Sequence, residues 1–293
     1  MTIRIIPRLD IKGPNLVKGI HLEGLRVLGK PWDFAQTYYR EGADELIYID
    51  VVASLYGRNN LLDIVRKTAQ NVFIPFTVGG GIRSLEDIRS LLRSGADKVA
   101  INTGAVYCPD LIRQGAEAFG SQCIVSHIEA KRMHGRYEAM TDNGREASGK
   151  DAVQWAKQAV SLGAGEILLV SIDREGTGKG YDLELIRSIS KAVPVPVIAS
   201  GGAGNAAHAL EVISAGRGDA ICAASLFHYH YVGSRVDTSS YAAEGNIEFI
   251  KQTRGCLEFM ADRLQRMSIP GLKAEMVSAG LDCRAYQESS IHG

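Results

Sequence analysis

The chain has 293 residues, and its 33 lysine and arginine residues balance its 33 aspartate and glutamate residues, so the formal net charge is zero. Hydrophobic residues make up 45% and charged residues 23%, which is typical of a folded chain with a sizeable core. A neutral chain without a run of lysine or arginine gives no electrostatic reason to bind nucleic acid or an anionic membrane. We therefore expect small molecules or another protein as partners.

The sequence carries only weak signals for targeting, redox chemistry and metal binding. Arg4 and Arg8 fall where a secretory signal needs an apolar segment, so we predict a cytoplasmic protein. Five scattered cysteines lack a C-x-x-C spacing and are predicted to be reduced thiols. The His228-Tyr229-His230 segment has no third ligand at a metal-binding spacing, so we predict no metal and no cofactor.

Short β-branched segments alternate with longer helical patterns along the chain, which is typical of β/α units. Eight strands are predicted, at Ile3–Ile11, Glu45–Val52, Val72–Val78, Lys98–Thr103, Cys123–Lys131, Glu166–Asp173, Val195–Ser200 and Asp219–Phe227. Amphipathic segments predict helices at Trp32–Glu41, Leu61–Gln70, Leu85–Ser94, Asp110–Phe119, Asp151–Leu162, Leu183–Ala192 and Ala207–Ala215. Eight such units favour an α/β fold of the closed (β/α)8 kind, a TIM barrel, over an open sheet.

Three sequence patterns recur at a nearly constant spacing of 121 or 122 residues. They are Gly42–Leu46 with Gly163–Ile167, Gly80-Gly81 with Gly201-Gly202, and Asp97–Thr103 with Asp219–Ser225. This repeat predicts a single barrel over residues 1–266, built from half-barrels at about 1–120 and 121–266. The change in spacing predicts one extra residue near Gly216-Arg217-Gly218 in the second half.

The end of the chain departs from this pattern. Helical spacing at Asn246–Arg266 predicts the eighth helix, after a polar loop at Tyr231–Gly245. Pro270-Gly271 predicts the end of regular structure, and residues 267–293 are predicted to form a C-terminal extension.

Glycine clusters follow the third and seventh predicted strands, at Gly79–Gly81 and Ser200–Gly204. In a barrel the site lies at the carboxyl ends of the strands, and glycines there let backbone N–H groups approach an anion. The pattern favours two facing phosphate sites over ordinary structural turns. The candidate phosphate-binding residues are Gly81, Asn102 and Thr103 in one half and Ser200, Gly202, Ala224 and Ser225 in the other.

Two acids, Asp10 and Glu129, lie near the ends of the first and fifth predicted strands, on opposite sides of the barrel mouth. Two carboxylates that flank one substrate can act as general acid and general base. The alternative for Asp10 is a structural ion pair with Lys12 or Lys18. Three further acids at strand ends either bind substrate hydroxyls or cap the adjacent loops. They are Asp50, Asp173 and Glu175.

Four charged residues lie at the opposite ends of the strands: Arg4, Glu45, Lys98 and Glu166. Two basic and two acidic side chains can close a neutral ring at the barrel bottom. Such a ring is either a stabilising plug or a gate to a central passage.

The sequence resembles the HisF family, the cyclase subunits of imidazole glycerol phosphate synthase, from Ile3 to about His228. The motifs that carry the resemblance are Leu9-Asp10-Ile11 with Val17-Lys18-Gly19, Asp44-Glu45-Leu46, Phe76–Gly81, Gly95–Lys98, Phe119–Gln122, Gly163–Ile167, Ile172-Asp173-Arg174 with Gly180-Tyr181-Asp182, and Ala199–Gly204. The family is a half-barrel duplication, which agrees with the repeat.

The resemblance implies a bisphosphorylated ribulosyl aminoimidazole carboxamide substrate and a glutaminase subunit docked at the barrel bottom. Ammonia from that subunit enters past the charged ring and attacks the ribulosyl carbonyl, and ring closure gives imidazole glycerol phosphate. Asp10 matches one catalytic acid of the family and Lys18 matches its loop lysine.

Several residues depart from the family pattern. Glu129 and Glu175 stand where the family has aspartates, and Val170 replaces a polar residue. Arg8 and His127 stand beneath the acids, where the family has small residues, and Arg8 is expected to reach Glu129 or Asp10 as a charged partner. These changes fit HisF-like paralogues thought to supply ammonia for amidination of a sugar in surface-polysaccharide pathways. A third alternative is a non-catalytic scaffold for a glutaminase.

Overall fold

The computed structural model describes residues 2–53, 61–234 and 264–284. Within these ranges the chain forms one sheet of twelve strands. They are β1 (Arg4–Lys12), β2 (Asn15–Ile20), β3 (Glu23–Gly29), β4 (Leu46–Asp50), β5 (Phe76–Gly79), β6 (Lys98–Ile101), β7 (Ile124–Met133), β8 (Arg136–Thr141), β9 (Glu146–Asp151), β10 (Glu166–Ser171), β11 (Val197–Ser200) and β12 (Ala220–Ala223).

Helices follow the strands through most of the described chain. They are α1 (Pro31–Arg40), α2 (Leu61–Ala69), α3 (Leu85–Arg93), α4 (Thr103–Tyr107), α5 (Asp110–Phe119), α6 (Ala152–Ser161), α7 (Leu183–Ser190), α8 (Ala206–Glu211), α9 (Ser225–Ser234) and α10 (Ile269–Ser278). A 3-10 turn at Ser121–Cys123 precedes β7, and a π-helical turn at Val212–Gly216 continues α8.

Eight of the strands run parallel and close into a barrel. Their order is β1, β4, β5, β6, β7, β10, β11 and β12. The barrel closes where β12 pairs with β1, with Arg4 opposite Ala220. The predicted (β/α)8 fold is confirmed.

Side-chain caps fix where several helices begin after their strands. Ser84 accepts a hydrogen bond from the Asp87 N–H, and the Asp87 carboxylate accepts the Ser84 N–H, which forms a capping box at α3. Asp151 and Asn205 cap α6 and α8 in a similar way through their side-chain oxygens. These caps satisfy backbone donors that would otherwise lack partners at the helix starts.

The core has two layers. An outer layer lies between the sheet and the helices, with Phe34 of α1 and Trp155 of α6 among its large buried side chains. An inner layer fills the barrel itself and includes Ile6, Ile47 and Leu168. The barrel interior is thus a second packed layer, separate from the layer beneath the helices.

The half-barrel repeat is visible in the backbone. In each half the first strand leads into an antiparallel hairpin, β2–β3 or β8–β9. Six pairs of residues 121 apart share a positive φ: Gly13 with His134, His21 with Asp142, Leu22 with Asn143, Gly42 with Gly163, Gly80 with Gly201, and Gly81 with Gly202. The next pair, Gly95 with Arg217, is 122 apart. The π-helical turn lies in that interval, where its wider i→i+5 turn accommodates the extra residue.

The region after β12 differs from the sequence prediction. The eighth strand ends at Ala223, and α9 occupies the end of the predicted strand and the start of the predicted polar loop. Most of the helix predicted at Asn246–Arg266 lies outside the described residues. The prediction that regular structure ends at Pro270-Gly271 is wrong, because these residues lie in the first turn of α10. Proline is tolerated there since the first N–H groups of a helix have no intrahelical acceptor.

Helix α10 packs against the barrel. Ile269, Leu272 and Met276 are fully buried, and the helix contacts α8. Lys273 donates hydrogen bonds to the Gly42 carbonyl and the Asp44 carboxylate, each at 2.7 Å. A barrel boundary at residue 266 stays a prediction. Among the described residues, every helix is too short or too polar to cross a membrane.

Candidate active site

The strand registers place the two acids at equivalent positions in the two half-barrels. Asp10 lies opposite Ile49 of β4, and Glu129 lies opposite Val170 of β10. Ile49 and Val170 are 121 residues apart, the spacing of the repeat. Both acids are almost fully buried, with exposed fractions of 2% and 1%. The structure therefore brings the two predicted catalytic acids to one end of the barrel.

Asp10 forms its ion pair with Arg8, not with the lysines considered from the sequence. The Arg8 Nε donates to Asp10 Oδ1 at 2.8 Å, and both side chains are buried. Burial by itself lowers the pKa of Arg8, but the carboxylates of Asp10, Glu175 and Glu129 outweigh this effect and raise it. Arg8 is therefore a permanent positive charge beneath Asp10.

Glu129 has a different environment. Its Oε2 accepts a hydrogen bond from Asn102 Nδ2 at 3.0 Å, and the Gly144 N–H also binds the carboxylate. Burial raises the pKa of Glu129 to about 7, although the charge of Arg8 and the Gly144 N–H oppose the rise. Near neutral pH this carboxyl exchanges a proton, as a general acid or base must.

Lys18 and Glu175 bind each other across the mouth of the barrel. The Lys18 Nζ donates to Glu175 Oε1, and both side chains are buried. The Leu22 N–H donates to the second oxygen of Glu175 at 3.3 Å. The sequence analysis placed both residues in the site but did not predict the pair.

The first glycine cluster follows β5. Gly80 has φ +107°, and a Cβ built on it would lie 2.5 Å from the Asp50 carbonyl oxygen. Asn102 and Thr103 follow β6 nearby, but their side chains already have partners: Asn102 binds Glu129, and Thr103 Oγ1 accepts the Asp142 N–H at 3.0 Å. Backbone N–H groups and the Thr103 hydroxyl proton remain as candidate anion donors on this side.

The second glycine cluster follows β11 and repeats this geometry. A Cβ on Gly201, which has φ +94°, would lie 2.7 Å from the carbonyl oxygen of Ser171. Ser200 and Ser225 are buried nearby, with Ser225 at the first residue of α9. That ten-residue helix starts immediately after Ala224, and the free N–H groups at the start of a helix favour an anion.

A cavity of about 280 Å³ opens beside Glu129. Its lining includes seven residues that were named from the sequence and several that were not. The lining residues are Ile49, Asp50, Gly80, Gly81, Ile82, Arg83, Ala100, Ile101, Asn102, Thr103, Gly104, Tyr107, Cys108, His127, Glu129 and Asn143. The mouth of this cavity is shaped by the β6–α4 region and the β8–β9 turn.

The two hairpins were missed by the sequence analysis, although they help to form the site. Asn143 of the β8–β9 turn donates from Nδ2 to the carbonyl oxygen of Leu22, in the β2–β3 turn, at 3.3 Å. The same turn supplies the Gly144 N–H to Glu129. His21-Leu22 and Asp142-Asn143 carry positive φ without glycine, so the usual Asn-Gly hairpin signal is absent from the first turn.

Two further acids bind backbone N–H groups. Asp50 Oδ1 accepts the N–H groups of Val52 and Ala53, each at 3.0 Å, and so caps its adjacent loop. Asp173 Oδ2 accepts the Arg132 N–H at 2.8 Å, which joins the loop after β10 to strand β7.

The charged ring closes the opposite end of the barrel. Arg4 contacts Glu45 at 2.7 Å and Glu166 at 2.6 Å. Lys98 contacts the same two carboxylates, each at 3.0 Å. Each cation thus bridges both anions, and the predicted four-membered ring is present.

The fold and the geometry of its two ends define a (β/α)8 barrel with paired acids and glycine-rich loops at its mouth. Residues 4–232 match the family described as histidine biosynthesis protein, and the chain belongs to this family. A curated relative is the imidazole glycerol phosphate synthase subunit HisF of Legionella pneumophila. It is 66% identical over 203 residues, which cover 69% of this chain and 96% of the relative. The resemblance found in the sequence is confirmed.

Proposed function

We propose that the protein is a cyclase of the imidazole glycerol phosphate synthase type. It takes ammonia from a glutaminase partner and converts a bisphosphorylated ribulosyl aminoimidazole carboxamide to imidazole glycerol phosphate. The observation that carries the proposal is the buried pair of facing acids, Asp10 and Glu129, between two glycine cradles. The 66% identical relative supports the same activity through its name.

The substrate phosphates bind at the two cradles. Gly81, Asn102 and Thr103 take one phosphate, and Ser200, Gly202, Ala224 and Ser225 take the other. Lys18 and Glu175 lie between them and contact the polar middle of the substrate. Support comes from the matched geometry of Gly80 and Gly201, because equivalent cradles suit a ligand with an anion at each end.

Ammonia enters at the ring of Arg4, Glu45, Lys98 and Glu166. The ring lies at the N-terminal ends of the strands, so a glutaminase docked there delivers ammonia along the barrel axis. The arginine and lysine side chains of the ring are 23% and 19% exposed, which keeps them accessible from the bottom face.

The purified protein should form imidazole product from the ribulosyl substrate with an ammonium salt as nitrogen source. The matched variants are Asp10→Asn and Glu129→Gln, which keep the shape of each side chain and remove its acid–base function. We expect each to lower kcat by about 100-fold or more, the usual contribution of one general acid or base.

A glutaminase with glutamine should replace ammonium in the same assay. Substrate binding without turnover would contradict the cyclase and favour the amidination paralogue. Loss of glutaminase affinity in Asp10→Asn, with no other effect, would favour the scaffold.

A further inference from the structure

The two acids have basic neighbours at equivalent positions. Arg8 lies two residues before Asp10 on β1, and His127 lies two residues before Glu129 on β7. Their register partners on β4 and β10 are again 121 residues apart. Both basic side chains are buried, with exposed fractions of 2% and 3%. Each half-barrel therefore places one basic residue directly beneath its acid.

The two basic residues act differently on their acids. Arg8 donates a hydrogen bond to Asp10 at 2.8 Å. His127 Nε2 lies 3.7 Å from Glu129 Oε1, beyond hydrogen-bond range. Burial and the charge of Arg8 hold the pKa of His127 well below its ordinary value, so its imidazole is neutral. The two equivalent half-barrels thus place a charged side chain beneath Asp10 and an uncharged one beneath Glu129.

We propose that Arg8 is a positioning residue that divides the roles of the two acids: its ion pair reserves Asp10 for the role of base, whereas Glu129, with only the uncharged His127 beneath it, serves as the acid. Arg8 Nη1, Arg8 Nη2 and His127 Nε2 have no hydrogen-bond partner among the described residues. Buried polar atoms without partners are costly, so these side chains need a reason beyond packing.

The other titratable groups nearby leave this assignment intact. Lys18 and Glu175 face the acids from β2 and the loop after β10, and they bind each other. Cys222 faces them from β12, and burial raises the pKa of its thiol to about 11, so it is neutral at neutral pH. His228 of α9 also interacts with Asp10, but burial lowers its pKa to about 3 and its imidazole is neutral, so the uncompensated difference between the two half-sites is the charge of Arg8.

The assignment rests on the proposed function for its role in the reaction. When ammonia adds to the ribulosyl carbonyl, a C–N bond forms and the C=O π electrons move to oxygen. That oxygen takes the proton of Glu129, and Asp10 takes one proton from the added nitrogen. The product of this step is a neutral carbinolamine, so protons and charge balance.

The test compares Arg8→Met with the matched control His127→Gln in pH profiles of kcat, corrected for free ammonia. Removing the Arg8 charge should raise the limb of the profile that reports Glu129 by about one pH unit or more, because a nearby cation lowers the pKa of a carboxyl group by about that much. His127→Gln removes no charge and should leave both limbs in place. Arg8→Lys should restore the position of the limb that reports Glu129.

A second readout does not need turnover. Carboxyl ¹³C NMR follows the titration of Glu129, with Glu129→Gln as the variant that assigns its signal. This titration should move upward in Arg8→Met, or in Arg8→Gln if Arg8→Met does not fold, because the charge of Arg8 lowers the pKa of Glu129. An unmoved titration in a folded variant would overturn the inference. A moved titration in a protein without cyclase activity would uphold it and overturn the proposed function alone.

Discussion

At the scale of single residues, the site depends on alternation along two strands. Residues two apart on a strand face the same side, so Arg8 accompanies Asp10 and His127 accompanies Glu129 into the barrel. Alternation predicted that these four side chains share the interior. The sequence left Arg8, Lys12 and Lys18 as possible partners of Asp10. In the structure Arg8 binds Asp10, and Lys18 binds Glu175.

Glu129 should make stability depend on pH. Its pKa rises from 4.5 to about 7 on folding, so the folded state binds this proton more tightly than the unfolded state. The resulting stabilisation is complete below about pH 4.5 and is lost as the pH rises to about 7. The difference in unfolding free energy between the protein and Glu129→Gln should fall by about 3 kcal/mol over this range.

Urea unfolding at a series of pH values measures that difference. Glu129→Gln is the appropriate reference because it resembles the protonated acid and retains the other titrating groups, including His127. A pH-independent difference would show that Glu129 ionises in the folded protein as it does in the unfolded chain.

At the scale of elements, the glycine clusters serve the backbone as well as any ligand. Gly80 approaches the Asp50 carbonyl and Gly201 approaches the Ser171 carbonyl, so both loops lie close to the end of the preceding strand. An equivalent pair of acids joins neighbouring strands: Asp97 accepts the Phe76 N–H and Asp219 accepts the Val197 N–H, each at 2.8 Å. These contacts give physical reasons for two of the sequence repeats.

Gly80→Ala should therefore be strongly destabilising. Its φ of +107° and the 2.5 Å contact both oppose a side chain, with an expected loss of about 3 kcal/mol or more. Gly13→Ala is the matched control, because Gly13 has φ +58° and no atom within 4 Å of a built Cβ. It should cost only about 1–2 kcal/mol. Equal losses in thermal unfolding would contradict this account.

The barrel and most of its site were predictable from the sequence, whereas the hairpins and α10 were not. Strand periodicity and the repeat located all eight barrel strands, and position at strand ends located the acids. The first hairpin turn uses His21 and Leu22 at positive φ, which no turn signal indicates. Helix α10 begins at Ile269 with Pro270 in its first turn. The proline was interpreted as the end of regular structure, whereas it lies at the beginning of a helix.

At the scale of the whole molecule, Asp44 joins three distant parts of the chain. Its carboxylate accepts the Ile5 N–H of β1 at 2.8 Å. It also binds Lys273 at 2.7 Å and Arg284 at 3.0 Å. The segment that contains α10 is thereby attached to the bottom of the barrel beside the charged ring.

Lys273→Met should weaken this attachment. Lys273 is 3% exposed, and its loss leaves the buried Asp44 carboxylate with only the half-exposed Arg284 as a charged partner among the described residues. We expect a loss near the lower end of about 3–5 kcal/mol in urea unfolding. Val277→Ala, on the exposed side of the same helix, should change stability by less than about 0.5 kcal/mol. Similar losses in both variants would contradict a specific role for Lys273.

The closure of the barrel between β1 and β12 has a consequence for folding during synthesis. Strand β1 gains its first parallel partner when β4 is made, and β2 pairs with the end of its other edge, but residues 4–7 on that edge stay unpaired until residues 220–223 emerge. Ile3 is covered later still, by its bridge to Cys283. An unpaired strand edge is a template for association with other chains. The first half-barrel is thus the segment most exposed to aggregation while the ribosome completes the second.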